Sequence, residues 1–160
     1  DYIVVKANSI SCYTNTPWYW PGFDFTAFPA TVKAANMAYK EAEIQNPREE
    51  IDCAEVHDCF TITELLNCQD LQFCDRGQAA AELKKGTFNW DGETAINPSG
   101  GLKSFGHPIG STGCRMLQEI TKQLQGRAEG RQVPDPKIGL CHNLGGPFSV
   151  CSVTVLGRND

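Results

Sequence analysis

The stretch Ile96-Asn97-Pro98-Ser99-Gly100-Gly101-Leu102-Lys103-Ser104-Phe105-Gly106-His107-Pro108-Ile109-Gly110-Ser111-Thr112-Gly113 decides how the chain is read. Its glycines allow left-handed backbone and close approach of one segment to another or to a ligand. His107 stands among them with no charged side chain within three residues. Met116, Leu117, Ile120 and Leu124 then recur at helical spacing, so the loop runs into a helix N-terminus. Free N–H groups there favour partial negative charge, and an imidazole fixed beside them serves as acid, base or oxyanion donor. A tight turn with a capping histidine accounts for the same residues.

Working outward, residues 94–96 read as a brief strand entering the loop. Residues 78–90 are amphipathic at first and turn at Asp91-Gly92. The spacing predicts a helix over 61–73, with Thr61 and Glu64 as a capping box and Ile62, Leu65, Leu66 and Leu71 on its apolar face. Residues 51–56 form a short strand. A helix is predicted over 26–44, capped by Thr26, stopped by Asn46-Pro47, and apolar at Val32, Ala35, Met37, Ala38 and Ala42. Between it and a strand over 2–10 lies a loop, 13–25, holding Tyr13, Trp18, Tyr19, Trp20, Phe23, Phe25 and two prolines. Those rings either bind a bulky partner or pack under one another.

Downstream of the 110–124 helix, residues 126–136 are a polar surface connection. Strands over 138–144 and 148–156 follow, joined across Gly145-Gly146-Pro147 and rich enough in Val, Ile, Leu and Cys to be central. Strands alternating with helices predict an α/β sandwich.

A chain of 160 residues can bury a sizeable core. Its net charge of −5, with no basic stripe, argues against a nucleic-acid partner. No apolar run approaches the roughly 20 residues of a membrane span, and no signal peptide is evident. The eight cysteines form no CxxC pair, which argues against a zinc ribbon; no metal ligand set is expected. Cys12, Cys53, Cys68, Cys74, Cys114 and Cys151 read as inert thiols, and a reducing cytoplasm is the expected compartment.

The three histidines all fall at junctions between strand and loop. His57 lies in Glu55-Val56-His57-Asp58-Cys59-Phe60, His107 in the glycine loop, and His142 in Cys141-His142-Asn143-Leu144-Gly145-Gly146. Ligands of α/β sheets bind beyond the carboxyl ends of strands, so these junctions are expected to converge. A thiol such as Cys59, ahead of a helix and two residues after a histidine, is a candidate for a tuned pKa.

These motifs taken together resemble the C-terminal half of thiolases, most nearly the sterol-carrier-protein type and its bacterial and archaeal relatives. The resemblance runs from the first strand to Leu156. It implies one half of a thiolase fold, a mixed β-sheet with helices on both faces, spanning 1–160 and lacking an opening strand and helix. It also implies an enzyme that cleaves a 3-ketoacyl-CoA with coenzyme A, or condenses in reverse. The nucleophilic cysteine is expected in the N-terminal half. Coenzyme A enters as co-substrate, and no cofactor is expected to stay bound.

Residue by residue, the resemblance implies that His107 activates the nucleophile and binds the thioester oxygen. His57 takes the place of an asparagine that holds a water in the oxyanion hole. Cys59 becomes the acid/base thiol, with Cys141 as competitor. Phe60, Gly106, His142 and Gly145 line the substrate site. The implied partners are an acyl-CoA, the N-terminal half, further copies in a homodimer or homotetramer, and a small companion protein combining a zinc ribbon and an OB-fold. A retro-aldolase of the same superfamily and a non-catalytic acyl-CoA-binding subunit are the rival readings. The chemistry is coherent: Claisen cleavage leaves a carbanion beside a thioester, which needs a proton donor and a hole for the enolate oxygen. A thiol with a pKa near 8.5 serves on either side of that transfer with modest tuning.

Overall fold

Alternation of side chains along the strands gives one sheet two cores. The computed structural model describes residues 2–159, apart from the side chain of Trp18. Its elements are β1 (Ile3–Cys12), α1 (Pro29–Glu41), α2 (Pro47–Glu50), β2 (Cys53–Val56), α3 (Thr61–Asp70) and α4 (Ala79–Lys85). They continue with β3 (Ala95–Ile96), α5 (Gly101–Phe105), α6 (Thr112–Leu124), β4 (Ile138–Gly145) and β5 (Val150–Arg158). The sheet order is β1-β5-β4-β2-β3. β5 is antiparallel to both neighbours, whereas β2 is parallel to β4 and to β3, so the sheet is mixed.

Ala54, Val56, Leu140, Leu144, Val153 and Val155 face a core shared with α1, α3 and α4. Their sequence neighbours Cys53, Cys141 and Leu156 face the opposite core, closed by α5 and α6. Helices therefore cover both faces, as an α/β sandwich requires. Small residues bring α1 close: Ala30, Ala34, Ala35 and Ala38 are buried, and the hydroxyls of Ser11 and Ser9 donate to the Ala30 and Ala34 carbonyls at 2.7 Å each. On the other face α6 buries Met116, Ile120 and Leu124, worth about 1.5–3 kcal/mol each. Beyond α6 that face is uncovered, and Ile10 and Val150 stand exposed on it. None of the described helices is long and apolar enough to cross a membrane.

Several boundaries differ from the sequence reading for identifiable reasons. The first helix begins at Pro29, whose ring presets helical φ at N1, while the Thr26 N–H is taken by the Asp24 carboxylate instead of Thr26 capping the helix. That helix stops at Glu41, before a left-handed Glu43, and Pro47 opens α2 where it was expected only to end α1. Thr61 and Glu64 make no capping box: Phe60 is the N-cap, and the Glu64 carboxylate accepts from the Asn97 side chain. The segment 78–90 is helical only to Lys85, where left-handed Gly86 caps it. Five residues of the glycine loop form a helix of their own, α5, so the following helix begins at Thr112 rather than 110.

How closely α6 lies against the sheet depends on Gly139 in β4. A Cβ there would stand 2.4 Å from Cγ2 of Ile120. Gly139→Ala is expected to destabilise the protein by about 1–3 kcal/mol through overpacking, and Ile120→Ala, which removes Cγ2, to cost less in that variant than in the wild type. Urea denaturation of the single and double variants measures both effects; an unchanged midpoint in Gly139→Ala would contradict the packing described.

Candidate active site

The site forms where β2 ends and the chain meets the glycine loop. Asn97, in left-handed backbone at φ +51°, accepts the Val56 N–H on its side-chain oxygen at 2.7 Å. One residue back, the buried Glu55 carboxylate accepts the Ser99 hydroxyl at 2.8 Å and the Arg115 guanidinium at 3.1 Å. Burial pushes the Glu55 carboxyl up, opposed by those two partners. One residue past His57, buried Asp58 accepts the Leu102 and Lys103 N–H groups at 2.7 and 3.4 Å, capping α5 from a distant segment. A Cβ on Gly101 would stand 2.4 Å from that carboxylate, and Gly101 has φ +61°, so only glycine permits the contact.

This frame brings two of the expected catalytic residues together. The rings of His57 and His107 meet edge to face, with centroids 5.0 Å apart. His107 Nδ1 lies 2.8 Å from the Thr112 hydroxyl, and that hydroxyl donates its one proton to the Pro108 carbonyl at 3.1 Å. Nδ1 of His107 is therefore the donor, and the neutral ring keeps Nε2 open. His57 Nδ1 lies 2.9 Å from the side-chain oxygen of Asn143. Burial lowers the His57 pKa, and the neighbouring His107 lowers it further.

His142, expected at the substrate, turns to the α1 side of the sheet, away from the paired rings of His57 and His107. It is fully buried, and its Nδ1 accepts the His57 backbone N–H at 3.3 Å. Its Nε2 must then carry the proton and donates to the Thr31 hydroxyl at 3.0 Å. Thr31 donates in turn to Asn67 at 3.4 Å, and Asn67 returns a bond to the His57 carbonyl at 3.0 Å. Four residues from β4, α1, α3 and the end of β2 thus close one buried ring of hydrogen bonds around the His57 backbone.

The two candidate thiols differ sharply. Cys59 is half-buried, with its sulfur 3.7 Å from the Thr63 hydroxyl. Cys141 is buried in the α6-side core, where desolvation pushes its thiol well up. Phe60 is 65% exposed at the start of α3, Gly106 ends α5 with open space where a Cβ would be, and Gly145 is exposed at the end of β4. Exposed Phe105 and Ile109 add apolar surface near His107. The aromatic loop runs to the same end of the sheet, since the Tyr13 N–H donates to Ser149 beyond the β4–β5 turn. Its rings pack partly on each other, as in the edge-on pair of Tyr13 and Trp20 at 5.7 Å, while Tyr19 and Phe25 stand exposed; the side chain of Trp18 lies outside the described residues.

Residues 22–158 match the family model described as thiolase C-terminal domain-like. The chain belongs to that family. An acetyl-CoA acetyltransferase of Methanothermobacter thermautotrophicus is 42% identical over 98% of this chain and 44% of its own length. Sterol carrier protein 2 of Homo sapiens is 43% identical over 74% of this chain and 21% of its own. The chain thus spans less than half the length of these curated relatives. A solved structure, the Ltp2-ChsH2(DUF35) aldolase, matches 98% of this chain and 40% of its own with a TM-score of 0.83; at 20% identity that likeness concerns the fold.

Sequence reasoning missed the residues that hold this thiolase-family site in place: Asp58, Asn97, Thr112 and Asn143. Asp58 carried no local signal, since the backbone it accepts from lies 44 residues along the chain. Asn143 carried none, since its role depends on how far β4 extends past β2.

Burial lowers the His142 pKa from the usual 6.5 to about 3. The unfolded chain takes up this proton near pH 6.5 and the folded chain only near pH 3. The stability held above about pH 6.5 is therefore lost as pH falls toward 3, at up to about 1.4 kcal/mol per pH unit. His142→Gln is expected to flatten the fall in urea midpoint between pH 7 and pH 5. Equal slopes in the two proteins would contradict a buried neutral imidazole.

Proposed function

We propose that the full protein is a thiolase-type acyltransferase that cleaves a 3-ketoacyl-CoA with coenzyme A, or runs the reverse condensation. The observation that carries this reading is the meeting of His57 and His107, each with Nδ1 tied back and Nε2 left open. His107 Nε2 accepts the proton of a nucleophilic cysteine supplied from outside these residues. Once charged, the same nitrogen donates to the thioester oxygen as negative charge develops there. His57 Nε2 holds a water against that oxygen. Cys59 delivers and removes the proton at the carbon alpha to the thioester. Its partial exposure, against the desolvated burial of Cys141, supports that assignment. The uncovered sheet face beside α6 supports a second half-domain packing there. The exposed aromatics of the 13–25 loop support a bulky acyl group.

In the full-length protein, His107→Ala is expected to lower thiolysis by about 100-fold to 10,000-fold. Deuterium exchange at the alpha carbon is expected to stop in Cys59→Ser and to persist in Cys141→Ser. Wild-type turnover in His107→Ala would remove that residue from the mechanism. Aldol cleavage without acyl transfer to a cysteine would move the reading to the aldolases of the superfamily.

A further inference from the structure

His142 and Asn143 are consecutive on β4, so their side chains leave opposite faces of the sheet. Both nevertheless reach His57. β4 runs parallel to β2 with Val56 beside His142, so its next residue overhangs the end of β2 where His57 sits. His142 takes the His57 backbone from one face, and Asn143 takes the ring from the other. The Asn143 amide nitrogen points to the first turn of α6, 3.5 Å from where a Cβ on Gly113 would stand. That orientation leaves the amide oxygen for His57 Nδ1, and an amide oxygen only accepts.

We propose that Asn143 is a positioning residue that fixes the tautomer and ring plane of His57, keeping the proton on Nδ1 and leaving Nε2 as an acceptor beside His107. The consequence is directional. A water held at Nε2 is held through one of its hydrogens and turns the other toward a carbonyl oxygen. That use of the ring rests on the acyl-transfer reading, whereas the tautomer does not.

The groups facing the His57 ring are His107 at 5.0 Å, Asp58 next in the chain, and the Asn143 amide, with neutral His142 behind the backbone. Long-range proton–nitrogen correlation spectra of the full-length protein, without substrate, read which ring nitrogen of His57 carries the proton and where the ring titrates. The wild type is expected to show the Nδ1-protonated tautomer. Asn143→Leu is expected to shift the ring toward the Nε2-protonated form. Asn143→Asp, which keeps the shape and adds a charge, is expected to raise the titration midpoint by about 1–3 pH units. An Nε2-protonated ring in the wild type would overturn the proposal, as would an unchanged tautomer in Asn143→Leu or an unchanged midpoint in Asn143→Asp. If the spectra behave as expected but the protein shows no thiolysis, the acyl-transfer reading falls and the role of Asn143 stands.

Discussion

The site depends on one contact between segments far apart in the chain: the Asp58 carboxylate held against the start of α5. It accepts two backbone N–H groups that the short helix cannot satisfy itself, and it approaches where any side chain on Gly101 would stand. A single carboxylate thereby ties the residue after His57 to the loop that carries His107. Asn97 and the Ser99–Glu55–Arg115 cluster repeat the tie one turn away. Removing Arg115 would take the cation from the buried Glu55 carboxylate and leave only Ser99 to hold it, a costly change in the interior. The first part of the glycine loop, Asn97 to Lys103, is therefore held by its partners, despite its composition.

The three histidines show how environment divides roles among like groups. His142 is stripped of water and bonded at both nitrogens, so it stays neutral and serves the backbone of its neighbour. His57 is partly desolvated and bonded at one nitrogen. His107 stands at the surface with one nitrogen bonded to Thr112. Only the last two meet, and only they keep a nitrogen for chemistry.

The α/β alternation, the two central strands and the helix after the glycine loop were legible in the sequence because period and turn residues are local signals. Helix starts were less so. Thr61 and Glu64 have capping-box spacing, yet Glu64 turns to Asn97, which is 33 residues away along the chain. Thr26 loses the helix start to Pro29. The histidine motifs pointed to one family, and the fold gathers two of the three rings. His142 looks equivalent to the others in the sequence, but alternation along β4 turns it to the α1 side of the sheet and Asn143 to the site. Asp58 and Asn143 act through partners 44 and 86 residues away, a distance that no local pattern reports.

The claim that Asp58 holds the two histidines together is tested most directly by magnetisation transfer between the ring protons of His57 and His107. The full-length protein should show this cross-peak, because the ring centroids lie 5.0 Å apart. In Asp58→Ala the cross-peak should vanish, and the Leu102 amide should lose its protection from hydrogen exchange. A wild-type protein without the cross-peak, or an Asp58→Ala variant that keeps it at full strength, would contradict the account.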